Sequence, residues 1–321
     1  MHPSIHVPVE LAGLYSSLPK RLKHYSDLSR PFDRRLLAEH LRNLGHLSDL
    51  PGNFDPERFE DLLPAKEIDS KTVIECFYQT ILEGTPKRIL GDKTPDHLPY
   101  FQNIVRLFPN AQILHLVRDG RDCALSSMAW RQGINFRNTF ELARAWARHN
   151  ARLADFGREN PNRYLNIRYE DLIREPEPVL RKITHFLGED YDPAMLEYQS
   201  GSFARANADH LGHHQNLTQT LMPNNSGKWE KKMPADQVKV YESLAGDVLQ
   251  TFGYPVSFDR QGIRWLVLRE LWRGSTWARM GARRLRRFNK NSRFMVALTI
   301  KRKLQVIRLR DAVPSYFREF P

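Results

Sequence analysis

The sequence predicts an α/β domain with a parallel sheet over residues 1–255, followed by a basic amphipathic helical tail over residues 256–321. Three observations predict it. Short bounded apolar runs alternate with segments of helical periodicity, the pattern of parallel strands joined by helical crossovers. With 41% hydrophobic and 27% charged content, the 321 residues can bury a substantial core. Beyond Gly253, Tyr254 and Pro255 the composition turns basic and aromatic, which sets a boundary near residue 256.

The helical patterns begin at Asp33 to Leu44, Asp55 to Leu63 and Ser70 to Glu83, each opening near Asp, Ser or Pro. Arg88 to Asp92 (RILGD) is the first recognisable strand, Ala111 to Val117 (AQILHLV) the second and Arg163 to Arg168 (RYLNIR) the third. Helices are predicted between them at Asp96 to Phe108, Asp119 to Arg131 and Asn138 to Asn160, the last with Leu142, Ala145, Trp146 and Leu153 at helical spacing. Downstream, Glu177 to Leu187 and Ala235 to Phe252 read as helices, and Ser200 to Gly227 as a long loop of the functional or mobile kind.

Charge is unevenly placed. From Arg260 onward, seventeen lysines and arginines face Glu270, Asp311 and Glu319, a net +14 that leaves the first 259 residues at −2 of the chain's +12. Such a tail suits an anionic membrane surface, with Trp265, Leu268, Trp272 and Trp277 on its apolar side, while nucleic acid is not an expected partner of the body. Two cysteines, Cys76 and Cys123, exclude a disulfide framework and point to a reducing, cytoplasmic setting, peripheral on a membrane if the tail binds one. No run approaches the roughly eighteen apolar residues of a membrane span. No carboxylate or thiolate completes a persuasive metal site with His210, His213 and His214, so no metal is expected.

The chemistry concentrates in Ile113 to Trp130, where an apolar strand ends at Arg118 and a helix begins at Asp119, a natural N-cap. Arg118 offers a charged fork at the strand's carboxyl end. Ser126 adds a hydroxyl in the helix's second turn, so the two can converge on a phosphate at the sheet edge where α/β proteins bind ligands.

This segment resembles the superfamily of sulfotransferases that use 3′-phosphoadenosine 5′-phosphosulfate (PAPS), whose 3′-phosphate motif is an Arg at a strand end followed eight residues later by a Ser. In Arg163 to Gly188 a strand runs into Tyr-Glu-Asp-Leu and a helix, similar to the family's adenosine pocket, with Tyr169 by the nucleotide. Ser226, Gly227, Lys228 and Trp229 look like its late Gly-x-Trp element around the same phosphate, although Met222, Pro223 and Asn224 replace the Arg-Lys-Gly of cytosolic members. Gly91 to Leu98 resembles a Lys-Thr-Pro turn that would aim Lys93 at the transferred group. His2 to Glu10 resembles a segment that carries a catalytic glutamate, matched here by Glu10.

The resemblance covers Met1 to Pro255. It implies a three-layer α/β fold of the P-loop-NTPase-like kind and metal-free transfer of a sulfuryl group from PAPS to a hydroxyl or amine of a small molecule, carbohydrate, lipid or peptide. Arg118, Ser126, Tyr169, Gly227, Lys228 and Trp229 would bind the nucleotide, Lys93 would stabilise charge, and Glu10 or His97 would be the base. It also implies an apolar strand and a Pro-Arg-Ser-Gly-Thr-Thr-like loop for the 5′-phosphosulfate ahead of Met1, and Arg273 to Trp277 is only superficially like that loop. The expectation is therefore that the 321-residue chain transfers little sulfate and that upstream codons restore the loop. The rival readings are a non-catalytic nucleotide- or partner-binding remnant and a basic-tailed membrane-surface or nucleic-acid binder for which the body is scaffold. Oligomeric state and the identity of the acceptor are left open.

Overall fold

The computed structural model describes residues 2–257 apart from 9, 12, 17, 23–24, 26, 44–53, 66–67, 84, 130–137, 201–221 and 223–224. In chain order its elements begin with β1 (Ile5–His6), α1 (Leu18–Leu22), α2 (Pro31–Arg42), α3 (Pro56–Leu62), α4 (Ser70–Glu83) and β2 (Ile89–Leu90). They continue with α5 (Phe101–Leu107), β3 (Ile113–Val117), α6 (Gly120–Ala129), α7 (Thr139–Glu159), β4 (Tyr164–Arg168), α8 (Tyr169–Arg174) and α9 (Pro176–Leu187). Helices α10 (Lys228–Lys232) and α11 (Ala235–Thr251) close the sequence of elements.

All strand pairing among the described residues is parallel, as the alternation of strand and helix requires. It takes the form of two separate two-stranded ladders. β1 pairs with β2 in the register Ile5↔Ile89, and the ladder extends through Gly91 N–H to the His6 carbonyl at 2.8 Å. β3 pairs with β4 from Ile113↔Tyr164 to Val117↔Arg168. Strand β1 has no counterpart in the sequence-based expectation, because two residues are too few to show a period of two. Alternation is plain in β3: His115 and Val117 are buried, whereas Leu114 and Leu116 are 41% and 53% exposed on the other face.

Local signals set the helix starts. Asp55 accepts hydrogen bonds from Glu57 and Arg58 N–H with Pro56 in the first turn, and Asn138 accepts from Glu141 N–H. Asp119 Oδ1 accepts from Arg121 N–H at 2.9 Å, the expected N-cap. Gly188, at φ 74°, ends α9 in a left-handed conformation that its lack of a Cβ permits. One predicted helix differs: the span from Asp96 to Phe108 divides into a 3₁₀ turn, Pro95–Tyr100, and α5. Pro99 supplies no N–H to an α-helical ladder, so the tighter turn persists until it has passed. Residues 130–131 of the helix predicted from Asp119, most of the 200–227 loop and the tail from 258 lie outside the described residues.

Two apolar cores hold the ladders in place. The first joins Leu11, Leu14 and Leu18 to α2, α3 and α4, where Val73, Ile74, Phe77 and Ile81 form one helical face. The second packs Val117 of β3 against Ala124 of α6, Ala143 and Ala147 of α7, and Tyr241, Ala245 and Leu249 of α11. After α11 the chain is tied back to the body: Arg121 donates to the Pro255 carbonyl at 2.9 Å, and Ser257 N–H donates to Glu242 at 3.0 Å.

Candidate active site

Parallel pairing carries the carboxyl ends of β1 and β2 to the same edge, where the chain continues into Glu10 and Lys93. Lys93 Nζ donates to Glu10 Oε1 at 2.6 Å, with the side chains 66% and 26% exposed. Behind this pair stands a hydrogen-bonded frame. Thr94 Oγ1 accepts from Leu11 N–H at 2.9 Å and donates to Asp92 Oδ1 at 2.8 Å. His97 Nε2 donates to the Leu11 carbonyl at 3.1 Å, and its other ring nitrogen lies 3.4 Å from Asp92. Tyr78 donates to Asp92 at 2.5 Å, and Tyr15 shares a hydrogen bond with Tyr78. Burial pushes the Asp92 carboxyl up, yet His97, Tyr78 and Thr94 outweigh it and hold the group below its usual range. Burial and Asp92 raise the Tyr78 phenol well above its ordinary value, so it remains a donor.

A second centre forms where β3 and β4 end. The Arg118 guanidinium lies 4.8 Å from the Tyr169 ring centroid, a cation–π contact. Arg118 Nη2 donates to the Asn225 carbonyl at 2.8 Å, Lys228 Nζ donates to Asn225 Oδ1 at 2.6 Å, and Asn225 Nδ2 donates to Tyr169 OH at 2.8 Å. Arg118 Nε is buried without a hydrogen-bond partner among the described residues. Asp122 of α6 accepts from Gly227 N–H at 2.7 Å and Trp229 N–H at 2.8 Å. The Arg121 guanidinium stacks 3.6 Å above the Trp229 ring. Gly227 has φ 67°, the left-handed backbone that favours glycine.

The strand-to-helix turn below Arg118 is fixed from several sides. Glu170 accepts from Asp119 N–H at 3.0 Å and from Tyr254 OH at 2.8 Å, and Trp146 Nε1 donates to the Arg118 carbonyl at 3.2 Å. Fully buried Arg121 bridges Asp119 at 2.7 Å and Glu242 at 2.6 Å, which returns to the guanidinium much of the solvation it loses.

A sequence model described as "Sulfotransferase family" matches residues 1–193, more than half of the chain. The chain belongs to the sulfotransferase family. It is 25% identical over 209 residues to a protein-tyrosine sulfotransferase of Drosophila melanogaster, covering 61% of this chain and 41% of that protein. It is 26% identical over 182 residues to protein-tyrosine sulfotransferase 1 of Danio rerio, covering 54% of this chain and 50% of that one. The chain thus spans about half the length of the curated relatives it matches. The fold is also that of the sulfotransferase domain from the curacin biosynthetic pathway, with a TM-score of 0.51 and 19% identity over 80% of this chain and 91% of that domain.

Within this chain of the sulfotransferase family, the residues singled out from sequence fall into distinct groups. Glu10 and Lys93 touch; Arg118, Tyr169 and Lys228 meet on Asn225; Gly227 and Trp229 meet on Asp122. Ser126 is exposed on α6, one turn beyond Asp122 and so on the same side of the helix. His97 is 7% exposed and faces the Leu11 peptide and Asp92, behind the Glu10–Lys93 pair. Sequence reasoning did not single out Asn225 or Asp122. Asp122 was legible only as an acid in a helix's first turn, and Asn225 only as the residue between Asn224 and Ser226. Among the described residues no group of three His, Cys, Asp or Glu side chains is arranged to hold a metal; His210, His213 and His214 lie outside them.

Proposed function

We propose that this protein binds PAPS at the Arg118–Tyr169–Lys228 centre and transfers its sulfuryl group to a hydroxyl-bearing acceptor, with Glu10 as base and Lys93 as charge stabiliser. The observation that carries the reading is the orphaned, buried Nε of Arg118 in a cluster where two cations share the oxygens of one asparagine. Such a donor set fits a phosphate, which offers more acceptor oxygens than Asn225 can. Arg118, Lys228 and the Ser126 hydroxyl would hold the nucleotide's 3′-phosphate, with Tyr169 beside the adenosine.

PAPS supplies an activated sulfur–oxygen bond. Glu10 accepts the acceptor's hydroxyl proton as the new oxygen–sulfur bond forms, and Lys93 neutralises the charge left on the departing 5′-phosphate oxygen. The transition state of such a transfer is loose, so positioning contributes most of the catalysis. His97 holds the Leu11 peptide in this reading and leaves proton removal to Glu10. The acceptor of choice for a first assay is a tyrosine-containing peptide, because the relatives matched include protein-tyrosine sulfotransferases.

The test is incubation with sulfur-labelled PAPS and a tyrosine peptide, beside calorimetric titration with adenosine 3′,5′-bisphosphate. Nucleotide binding is expected of the 321-residue chain, and labelled peptide would show that it also carries out the transfer. Absence of nucleotide binding overturns the reading, and binding without transfer to peptide, amine or small hydroxyl acceptors supports a non-catalytic nucleotide-binding protein instead.

A second reading concerns the tail alone. Its net +14 and its tryptophans favour peripheral attachment to an anionic membrane on the cytoplasmic side. Co-sedimentation with phosphatidylserine vesicles at low salt should be strong for the full chain and weak for a chain ending at residue 256; equal binding removes this reading.

A further inference from the structure

The Asn225–Trp229 segment lies more than a hundred residues from Arg118 in sequence, and what fastens it there is neither apolar packing alone nor a regular ladder. Asp122 is 2% exposed, and each of its carboxylate oxygens takes one backbone N–H of that segment, from Gly227 at 2.7 Å and Trp229 at 2.8 Å. The two bonds bracket Lys228, so they fix the direction in which its side chain leaves the backbone. The next residue along α6, toward its start, contributes as well, because Arg121 stacks on Trp229. With the segment docked in this way, Arg118 reaches the backbone carbonyl of Asn225 and Lys228 its side-chain oxygen.

We propose that Asp122 is a positioning residue for recognition of the 3′-phosphate: it docks Gly227–Trp229 on α6 and thereby sets Lys228 opposite Arg118. This rests on the nucleotide-binding reading above and adds to it the residue that assembles the site from two distant segments. A carboxylate is the group the geometry demands, since two donors approach and an acceptor is needed on each oxygen. An amide offers one acceptor and turns its own N–H₂ against the other donor, a repulsive contact within the same volume.

The experiment compares calorimetric affinities for adenosine 3′,5′-bisphosphate and adenosine 5′-monophosphate in the full chain, in Asp122→Asn and in Asp122→Glu. The full chain is expected to prefer the bisphosphate by about thirtyfold, the value of one or two charge-assisted hydrogen bonds. In Asp122→Asn the preference should fall about tenfold while affinity for the monophosphate stays within about threefold. A general loss of folded protein lowers the binding stoichiometry and leaves the ratio of affinities alone, so the ratio separates positioning from mere stability. Asp122→Glu keeps both acceptors but displaces them, so its preference should also fall, and it serves if the asparagine variant is recovered unfolded. An unchanged ratio in a folded variant overturns the assignment of Asp122. No preference in the parent overturns the nucleotide reading itself, whatever the variants do.

Discussion

Lys93 Nζ and Glu10 Oε1 stand 2.6 Å apart although 83 residues separate them, because β1 and β2 run parallel and end at the same edge. In the proposed reading, a base and a cation held this close would act on neighbouring atoms of a reacting pair. Lys93→Met and Glu10→Gln should therefore each lower single-turnover sulfuryl transfer about a hundredfold or more, the usual share of acid–base and charge-stabilising groups. Affinity for adenosine 3′,5′-bisphosphate should change by less than about threefold, since neither residue belongs to the Arg118 centre. Equal losses in binding and turnover would count against the assignment.

Arg118→Ala removes the guanidinium that stacks on Tyr169 and donates to Asn225. Calorimetry should show binding of adenosine 3′,5′-bisphosphate weakened by about 2 kcal/mol, roughly thirtyfold. Tyr169→Phe removes only the hydroxyl that accepts from Asn225, and a smaller loss of about 1 kcal/mol is expected.

Gly120 opens α6 directly beneath two large rings. A Cβ there would collide with the Tyr241 hydroxyl and lie 2.7 Å from Trp146. Tyr241 is fully buried in the second core, so neither ring can yield freely. Gly120→Ala should cost about 3 kcal/mol in urea unfolding and lower nucleotide affinity as well, because the turn it forces apart carries Arg118. An alanine variant as stable as the parent would contradict this packing.

His115 gives the stability a pH dependence. It is buried between Tyr164 OH at 2.6 Å and Asn150 Oδ1 at 2.8 Å, and burial pushes its imidazole from 6.5 down to about 4, against a smaller opposing effect of Asn150. Between those values the unfolded chain takes up a proton that the folded chain refuses. The contribution is complete above pH 6.5 and is lost progressively as the pH falls toward 4, by about 3 kcal/mol in total. Urea titrations between pH 4 and 7 should show this slope in the parent and a shallower one in His115→Gln.

The sequence made most of the local structure legible. The Asp55 and Asp119 helix starts, the apolar stripe of α4 and the apolar run of β3 each act within a few residues, so their signals survive without a fold around them. The strand end at Arg118 and the Tyr169 segment were visible for the same reason, as was the split in charge between body and tail. Where a local reading failed, as with the helix expected from Asp96, a single residue was responsible: Pro99 alters the ladder without altering the apolar period.

What the sequence could not contain is which distant residues meet. Asp122 lies 105 residues from Gly227, and Arg118 lies 107 from Asn225. A carboxylate in a helix's first turn looks the same whether it faces water or holds a remote loop, because its partner is selected by the path of the intervening chain. His97 is a further case: its residue type was legible, whereas its partners, the Leu11 carbonyl and Asp92, are set by packing alone. By itself the sequence determined the periodicities, the caps and the inventory of chemical groups. The tertiary structure alone decided which of those groups face one another, since burial and hydrogen-bond pairing are properties of the packed chain and not of any local stretch.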